Sequence, residues 1–344
     1  MESSESSGAR RVRRGRSART ARRRARPVSP GRPLLCAALA SVAVVGATAA
    51  GTVYVKAQAH TGKGALSSSA TPSASREASV ETVAEPTVDH DVLLAEAMQS
   101  MGVEDGAEVS VAVLDPASGD SASYGEGAFV TASIVKVDIL ATLLLQAQDA
   151  DRHLTAAEKT YATAMIENSD NASASALWRI IGESDGLDGA NERFGLRETE
   201  GGDGLLWGLT RTTAADQLTL LQQVFGDDTE LSEASRTYLR GLMGQIAADQ
   251  QWGVSAAADG SGWALKNGWL PRSTTGLWVI NSIGRVTADG HDYLVAVLSH
   301  GNSTKAKGIS LVETAARAAV SVFAGETVSA SRPPSLSASQ SPSG

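Results

Sequence analysis

Residues 131–145 read TASIVKVDILATLLL, and the reading of this stretch decides the fold. Ser133 and Lys136 stand at i and i+3, a spacing that sets both side chains on one face of a helix, with the serine in its first turn. Around the pair, Ile134, Val135, Val137, Ile139, Leu140, Leu143, Leu144 and Leu145 leave few polar positions, so the helix is expected in the middle of a domain. A lysine carried into such surroundings is partly desolvated. That disfavours its charged form and suits it to act as base for the hydroxyl beside it. A single Ser-x-x-Lys arises by chance in a serine-rich chain, so the pair acquires meaning only from partners elsewhere.

Outward from this helix, the pattern of the chain predicts an α+β domain. Asp91–Met101 is periodic enough for a helix, and Val109–Leu114 and Ser121–Tyr124 read as strands joined by the turn residues Asp115-Pro-Ala-Ser-Gly-Asp. Helices are expected over Thr155–Glu167, Ala172–Ile181, Asp188–Phe194, Thr213–Val224 and Ser232–Ala247. Strands return at Trp263–Trp269, Gly276–Arg285 and Asp292–Leu298, the last two turning at Ala288-Asp289-Gly290, and Lys307–Ala324 closes the domain as a helix. Strands at both ends with helices between them imply one antiparallel sheet flanked by helices, plus an all-helical subdomain, with a cleft where the two meet.

Two further motifs give the opening pair its partners. Ser169-Asp170-Asn171 falls in the break between two predicted helices, where its ordinary role is to cap the second of them and its chemical role would be to offer a hydroxyl and an amide to a substrate. Lys266-Asn267-Gly268 lies on a predicted strand of the closing sheet; Lys-x-Gly is common there, but it also supplies a fixed cation and a place where another backbone can come close. In this order the three motifs resemble those of the penicillin-recognising serine enzymes, and the Ser-Asp-Asn form resembles class A β-lactamases and their relatives among the D-Ala-D-Ala peptidases. The resemblance covers essentially all of residues 89–325 and includes Phe129-Val-Thr-Ala-Ser-Ile-Val-Lys, the family's entry into the nucleophile helix.

The resemblance implies a β-lactamase/transpeptidase-like fold and a role for each matching residue. Ser133 would be the acylated nucleophile and Lys136 its general base, while Ser169 would pass a proton to the leaving amine. Asn171 would bind the substrate amide, Lys266 would attract the substrate carboxylate, and Asn267 and Gly268 would line the substrate strand. Asp170 would be structural, and the backbone N–H groups of Ser133 and Trp269 would form the oxyanion hole. The activity implied is acyl-enzyme formation with β-lactams, with two alternatives: a D-Ala-D-Ala carboxypeptidase or penicillin-binding protein acting on peptidoglycan, and a silent surface module of the same fold. Partners would be a small β-lactam or a peptidoglycan stem peptide, with no cofactor or metal, and the chain is expected as a monomer.

Three departures bear on that expectation. Asn267 replaces the hydroxyl residue usual between lysine and glycine, and the interval from Ser133 to Ser169 is short for class A enzymes. The loop that ends at Thr212-Thr213-Ala214 reads RETEGGDGLLWGLTR, without the Glu-x-x-Leu-Asn whose glutamate activates the deacylating water; Glu198 and Glu200 are the available substitutes.

The N-terminal part is a different object. Residues 1–32 hold 11 Arg against Glu2 and Glu5, net +9, which leaves −17 for residues 33–344. With no aromatic residues interleaved, the basic arm does not read as a nucleic-acid site. It precedes residues 33–55, an uncharged stretch long enough to cross a membrane, which makes it a cytoplasmic arm and puts the following chain outside. Ala57-Gln58-Ala59 has the form of a signal-peptidase site, so a cleaved, secreted chain and a retained anchor both stand open. Cys36 is the only cysteine and sits at the wrong end of the run for a lipid attachment motif. Residues 56–88 and 326–344 are Ser-, Thr-, Ala- and Pro-rich and are expected as a disordered linker and tail. The domain between them has no cysteine and rests on its core alone. The five histidines show no metal spacing, and a Ser-His-Asp triad through His291 or His300 lacks any supporting motif.

Overall fold

The single antiparallel sheet that the pattern predicts, built from strands at both ends of the domain, is seen. The computed structural model describes residues 88–323, so the basic arm, the apolar run, most of the linker and the tail lie outside the described residues. Seven strands follow in chain order: β1 (Glu108–Leu114), β2 (Ser121–Tyr124), β3 (Phe129–Val130), β4 (Arg211–Thr212), β5 (Trp263–Pro271), β6 (Trp278–Ala288) and β7 (His291–Asn302). Five form an antiparallel sheet of order β2-β1-β7-β6-β5, and β3 pairs with β4 in a separate ribbon. On β1 and β7, Val111, Val113, Val295 and Val297 face one core, while Ala112, Leu294, Ala296 and Leu298 face the other. Both faces of the sheet are therefore covered, and inner strands read as continuous apolar runs.

The helices divide accordingly. α1 (His90–Gln99) and α8 (Lys305–Ser321) pack on one face through Leu94, Met98, Val312, Ala315, Ala316 and Ala319. The other face carries α2 (Val135–Asp149), α3 (Ala156–Glu167), α4 (Asn171–Ile181), α5 (Glu183–Phe194), α6 (Ala214–Phe225) and α7 (Glu233–Met243). Thr155 and Glu158 cap α3 reciprocally, the boundary signal expected of Thr-x-x-Glu. The β6–β7 turn puts Asp289 at φ +51° and Gly290 at φ +81°, the left-handed pair that suits a tight hairpin. The short ribbon β3–β4 is too brief for any periodicity to reveal, yet it ties the strand leading into Ser133 to the end of the 197–211 loop.

α2 is buried at nearly every position, as its sequence requires, and it carries an acid into the core. Asp138 is 1% exposed and accepts one hydrogen bond, from Asn191 Nδ2 at 3.1 Å. Its Oδ1 and the Oδ1 of Asn191 are both buried acceptors without a donor. A proton on Asp138 supplies the missing donor. Burial raises the Asp138 carboxyl to about 7, opposed by the Asn191 hydrogen bond and reinforced by Asp188 and Asp216.

Candidate active site

Ser133 sits in a 3₁₀ turn, Ala132–Ile134, that precedes α2, rather than in the first turn of the α-helix as the spacing predicts. The cause is Ala132, whose φ of +49° is left-handed. Such a backbone at a residue with a Cβ costs about 1–3 kcal/mol and is held only where its surroundings determine it. Those surroundings are specific. Asn281 Nδ2, on β6, donates to Val130 O and Thr131 O, each at 2.9 Å, and its Oδ1 accepts from Ser299 N. From β5, Gly268 presses on the same turn. A Cβ there would lie 2.6 Å from Thr131 O and 2.8 Å from Ser133 N, so only glycine lets the strand come this close.

Behind Ser133 two lysines and a hydroxyl are joined. Lys136 Nζ donates to Ser169 O at 2.7 Å, Ser169 Oγ at 3.0 Å and Asn171 Oδ1 at 2.8 Å. Lys266 Nζ donates to the same Ser169 Oγ at 3.1 Å and to Asn267 O at 3.0 Å. None of the three Lys136 bonds goes to Ser133 Oγ. Both lysines are fully buried. Burial brings Lys136 down to about 7, partly offset by the Asp170 carboxylate, and pushes Lys266 well below the usual lysine range, with the charge of Lys136 adding to the effect. Two ammonium groups on one oxygen repel, so a proton is readily given up. Once Lys136 is neutral, Ser169 can donate to it while accepting from Lys266, which makes a continuous proton path.

Ser169 reaches this position through a left-handed backbone, φ +55°, between α3 and α4. Asp170 next to it caps α4, its Oδ2 accepting from Ser173 N at 2.6 Å. Hydrogen bonds from Ser173 hold that carboxyl below its ordinary value. The motif therefore does both things its composition allows: Asp170 caps, and Ser169 and Asn171 face Lys136.

β5 separates its residues by face. Lys266 and Gly268 turn toward Ser169 and the Ala132–Ile134 turn, and Asn267 turns the other way. Its side chain is fully buried, with Nδ2 donating to Gln250 O at 2.7 Å and Trp252 O at 2.9 Å. The expected contact of Asn267 with substrate is thus corrected: both of its donors are spent on backbone carbonyls behind the sheet. Trp269 likewise sends its ring backward, against Trp252 and beneath Lys305. Its main chain is another matter. Asn267 C=O accepts from Lys266 Nζ at 3.0 Å, and main-chain groups two residues apart on a strand point the same way, so the Trp269 N–H lies on the side of β5 that meets that lysine.

Ser133, Asn171, Ser175 and Trp269 line a cleft of about 420 Å³ whose remaining wall is Leu205, Leu206, Trp207 and Leu209. The loop carrying this wall is anchored at its base by Asp216, which accepts from Arg197 N, Glu198 N and Thr199 Oγ1. With the backbone held this way, Glu198 and Glu200 are exposed and neither lines the cleft. No carboxylate stands among its lining residues. Trp207 was not legible as a site residue, and it stands with its ring centroid 5.0 Å from Lys136 Nζ. Neither His291 nor His300 lines the cleft; His300 packs on Phe129 and approaches Glu108.

Known proteins resemble this chain in part of its sequence and in its fold. A family model described as the β-lactamase enzyme family matches residues 156–323. "Putative lipoprotein LppW" of Mycobacterium tuberculosis, like the protein of that name in Mycobacterium bovis, is 25% identical over 178 residues, which cover 48% of this chain. Those residues make up 55% of the relative, so the chain spans about half the length of the curated relatives it matches. Among solved structures, a leucine-to-glutamate variant of PBP-A in an acyl-enzyme complex with penicillin G aligns with TM-score 0.59 at 19% identity, over 68% of this chain and 97% of that one. The TLA-1 extended-spectrum β-lactamase aligns with TM-score 0.61 at 16% identity, over 68% and 99%. A class A β-lactamase from Bacteroides cellulosilyticus aligns with TM-score 0.61 at 15% identity, over 70% and 100%. At these identities the likeness establishes the fold, which is β-lactamase/transpeptidase-like.

Proposed function

Within the β-lactamase-like serine hydrolase family that these matches support, we propose that this chain is acylated by β-lactams on Ser133 and releases the product slowly. The observation that carries the reading is the cleft itself: a serine nucleophile beside a depressed lysine, in a wall without a carboxylate. In acylation, Ser133 Oγ forms a bond to the lactam carbonyl carbon as the C–N bond breaks. The hydroxyl proton passes to Lys136 and, through Ser169, to the departing nitrogen. Lys266 keeps the Ser169 hydroxyl oriented and contributes positive potential toward a substrate carboxylate. The N–H groups of Ser133 and Trp269 receive the developing oxyanion, and Asn171 binds the substrate amide.

Deacylation needs a base within reach of water, and such a base is worth about 10²- to 10⁴-fold. Slow release of a β-lactam adduct suits a D-Ala-D-Ala peptidase or penicillin-binding protein, for which β-lactams are trapping substrates, as the second reading. The location proposed is extracytoplasmic, supported by the arginines before residues 33–55 and by relatives named as lipoproteins. Among the described residues no helix is long and apolar enough to cross a membrane.

The test is intact-mass analysis with penicillin G, followed by stopped-flow turnover. One adduct per chain is expected, with a burst and a steady rate about 10²- to 10⁴-fold below it. Glu198→Gln and Glu200→Gln should leave both phases unchanged. Fast turnover without a burst, or its collapse in one Gln variant, would overturn the slow-release reading. A chain that never takes the adduct is a silent module.

A further inference from the structure

Trp207 stands in the 3₁₀ turn Trp207–Leu209, in the part of the loop that lines the cleft. Its indole Nε1 donates to Ser175 Oγ at 3.1 Å, and Ser175 lies one turn along α4 from Asn171. The ring is therefore fixed from the same helix end that supplies the site's amide. Its face lies over Lys136, 5.0 Å from Nζ to the ring centroid. A second tryptophan secures the start of the turn: Trp178 Nε1 donates to Gly204 O at 2.6 Å. Leu205, Leu206 and Leu209 flank Trp207 and remain 50%, 55% and 37% exposed at the mouth of the cleft. This is an unusual amount of apolar surface to leave in solvent on one loop, and it borders the nucleophile.

A water that attacks an acyl-enzyme needs two or more polar partners to hold it in place. On this side of Ser133 the wall offers leucine side chains and the face of an indole whose only N–H is committed to Ser175. The polar side chains left are Ser175, which accepts that N–H, and Asn171 and Lys136, which are bonded to each other, with the indole face over the lysine.

We propose that Trp207 is a positioning residue that excludes water from the acylated Ser133, so that slow release is built into the wall and does not follow merely from a missing base. This rests on the acyl-enzyme reading above. It adds that the site takes substrates whose acyl group is itself apolar where it meets Leu206 and Leu209, because a charged group there would lose its hydration without gaining a partner.

The experiment measures adduct lifetime by intact mass on the full chain after a penicillin G pulse, in wild type, Trp207→Ala, Trp207→Phe and Ser175→Ala. Trp207→Ala should still acylate and should lose its adduct at least tenfold faster. Trp207→Phe keeps a ring over Lys136, so its adduct should last within twofold of wild type, which a role confined to the hydrogen bond with Ser175 does not allow. Ser175→Ala should lie between the two. A Trp207→Ala adduct as durable as wild type overturns the proposal. So does a Trp207→Phe adduct lost at least tenfold faster than in wild type, an outcome that remains readable if the alanine variant fails to fold. A wild type that never acylates overturns the acyl-enzyme reading and this proposal together, and the two failures are thereby told apart.

Discussion

Ser133→Ala should abolish the penicillin adduct, and Lys136→Ala should slow its formation by about 10²- to 10⁴-fold. Removing the nucleophile of a serine hydrolase costs on the order of 10⁶-fold in rate, and without its Oγ no acyl bond to the protein can form. The Lys136 effect is smaller because a base only assists a bond that Ser133 makes. Its pH dependence gives the more specific test. Lys136 titrates at about 7, and only its neutral form can take the Ser133 proton. The second-order acylation rate should therefore fall about tenfold per unit as pH drops below 7 and level off above it. A rapid-mix labelling series from pH 5 to 9 measures this. A profile that is flat through pH 7, or labelling that survives in Ser133→Ala, removes the assignment.

Asp138→Asn should stabilise the domain at pH 8 by up to about 4 kcal/mol while leaving it little changed at pH 4. The direction follows from the raised carboxyl. Folding holds Asp138 protonated up to about pH 7, whereas the unfolded chain releases that proton near pH 3.8. Between those values the folded state binds the extra proton, so stability declines as pH rises and is flat beyond. This is the reverse of the usual aspartate, whose pairing with a cation stabilises above its unfolded pKa. Asp138 faces Asn191 on α5, with Asp188 and Asp216 as its charged neighbours, and none of these supplies a cation. Asparagine keeps the pair, since its own amide can donate to Asn191 Oδ1 and accept from Nδ2, and it has no charge to bury. In thermal melts this amounts to a gain on the order of 10 °C at pH 8. Equal pH slopes for wild type and variant would show that Asp138 is not the titrating group.

The readable parts of the site were those carried by neighbours in sequence. Ser-x-x-Lys, Ser-Asp-Asn and Lys-x-Gly each place their residues within one turn or one strand, so local geometry constrains them before any tertiary contact forms. The chain order of strands and helices was legible for the same reason. Asn267 was misread although the signal was present: on a strand, a residue between Lys266 and Gly268 must face the opposite way from both. Asn281 also left a trace, a lone amide inside the buried run of β6, and its work is to hold the backbone before Ser133. The left-handed turn at Ala132 left none, because nothing in an alanine announces that Asn281 and Gly268 will force it. Trp207 was equally silent. Its contact with Lys136 joins the middle of a loop to a helix far back in the chain, and no periodicity encodes such a meeting.

One arrangement in the sheet governs how the molecule comes into being. β1 lies between β2 and β7, and its pairing sets Glu108 against His300, so an early strand finds its second neighbour only near the end of the chain. Contacts this remote in sequence slow folding, since a long loop must close before they give any return. During synthesis Ser133, Lys136 and Ser169 emerge first, while Lys266, Gly268 and Asn281 follow much later. A nascent chain thus holds Ser133 without the strand that shapes the turn around it and without the second lysine on Ser169 Oγ. The candidate site is complete only once the last strands arrive, and a fragment ending before β5 has the serine but lacks Lys266 and Gly268.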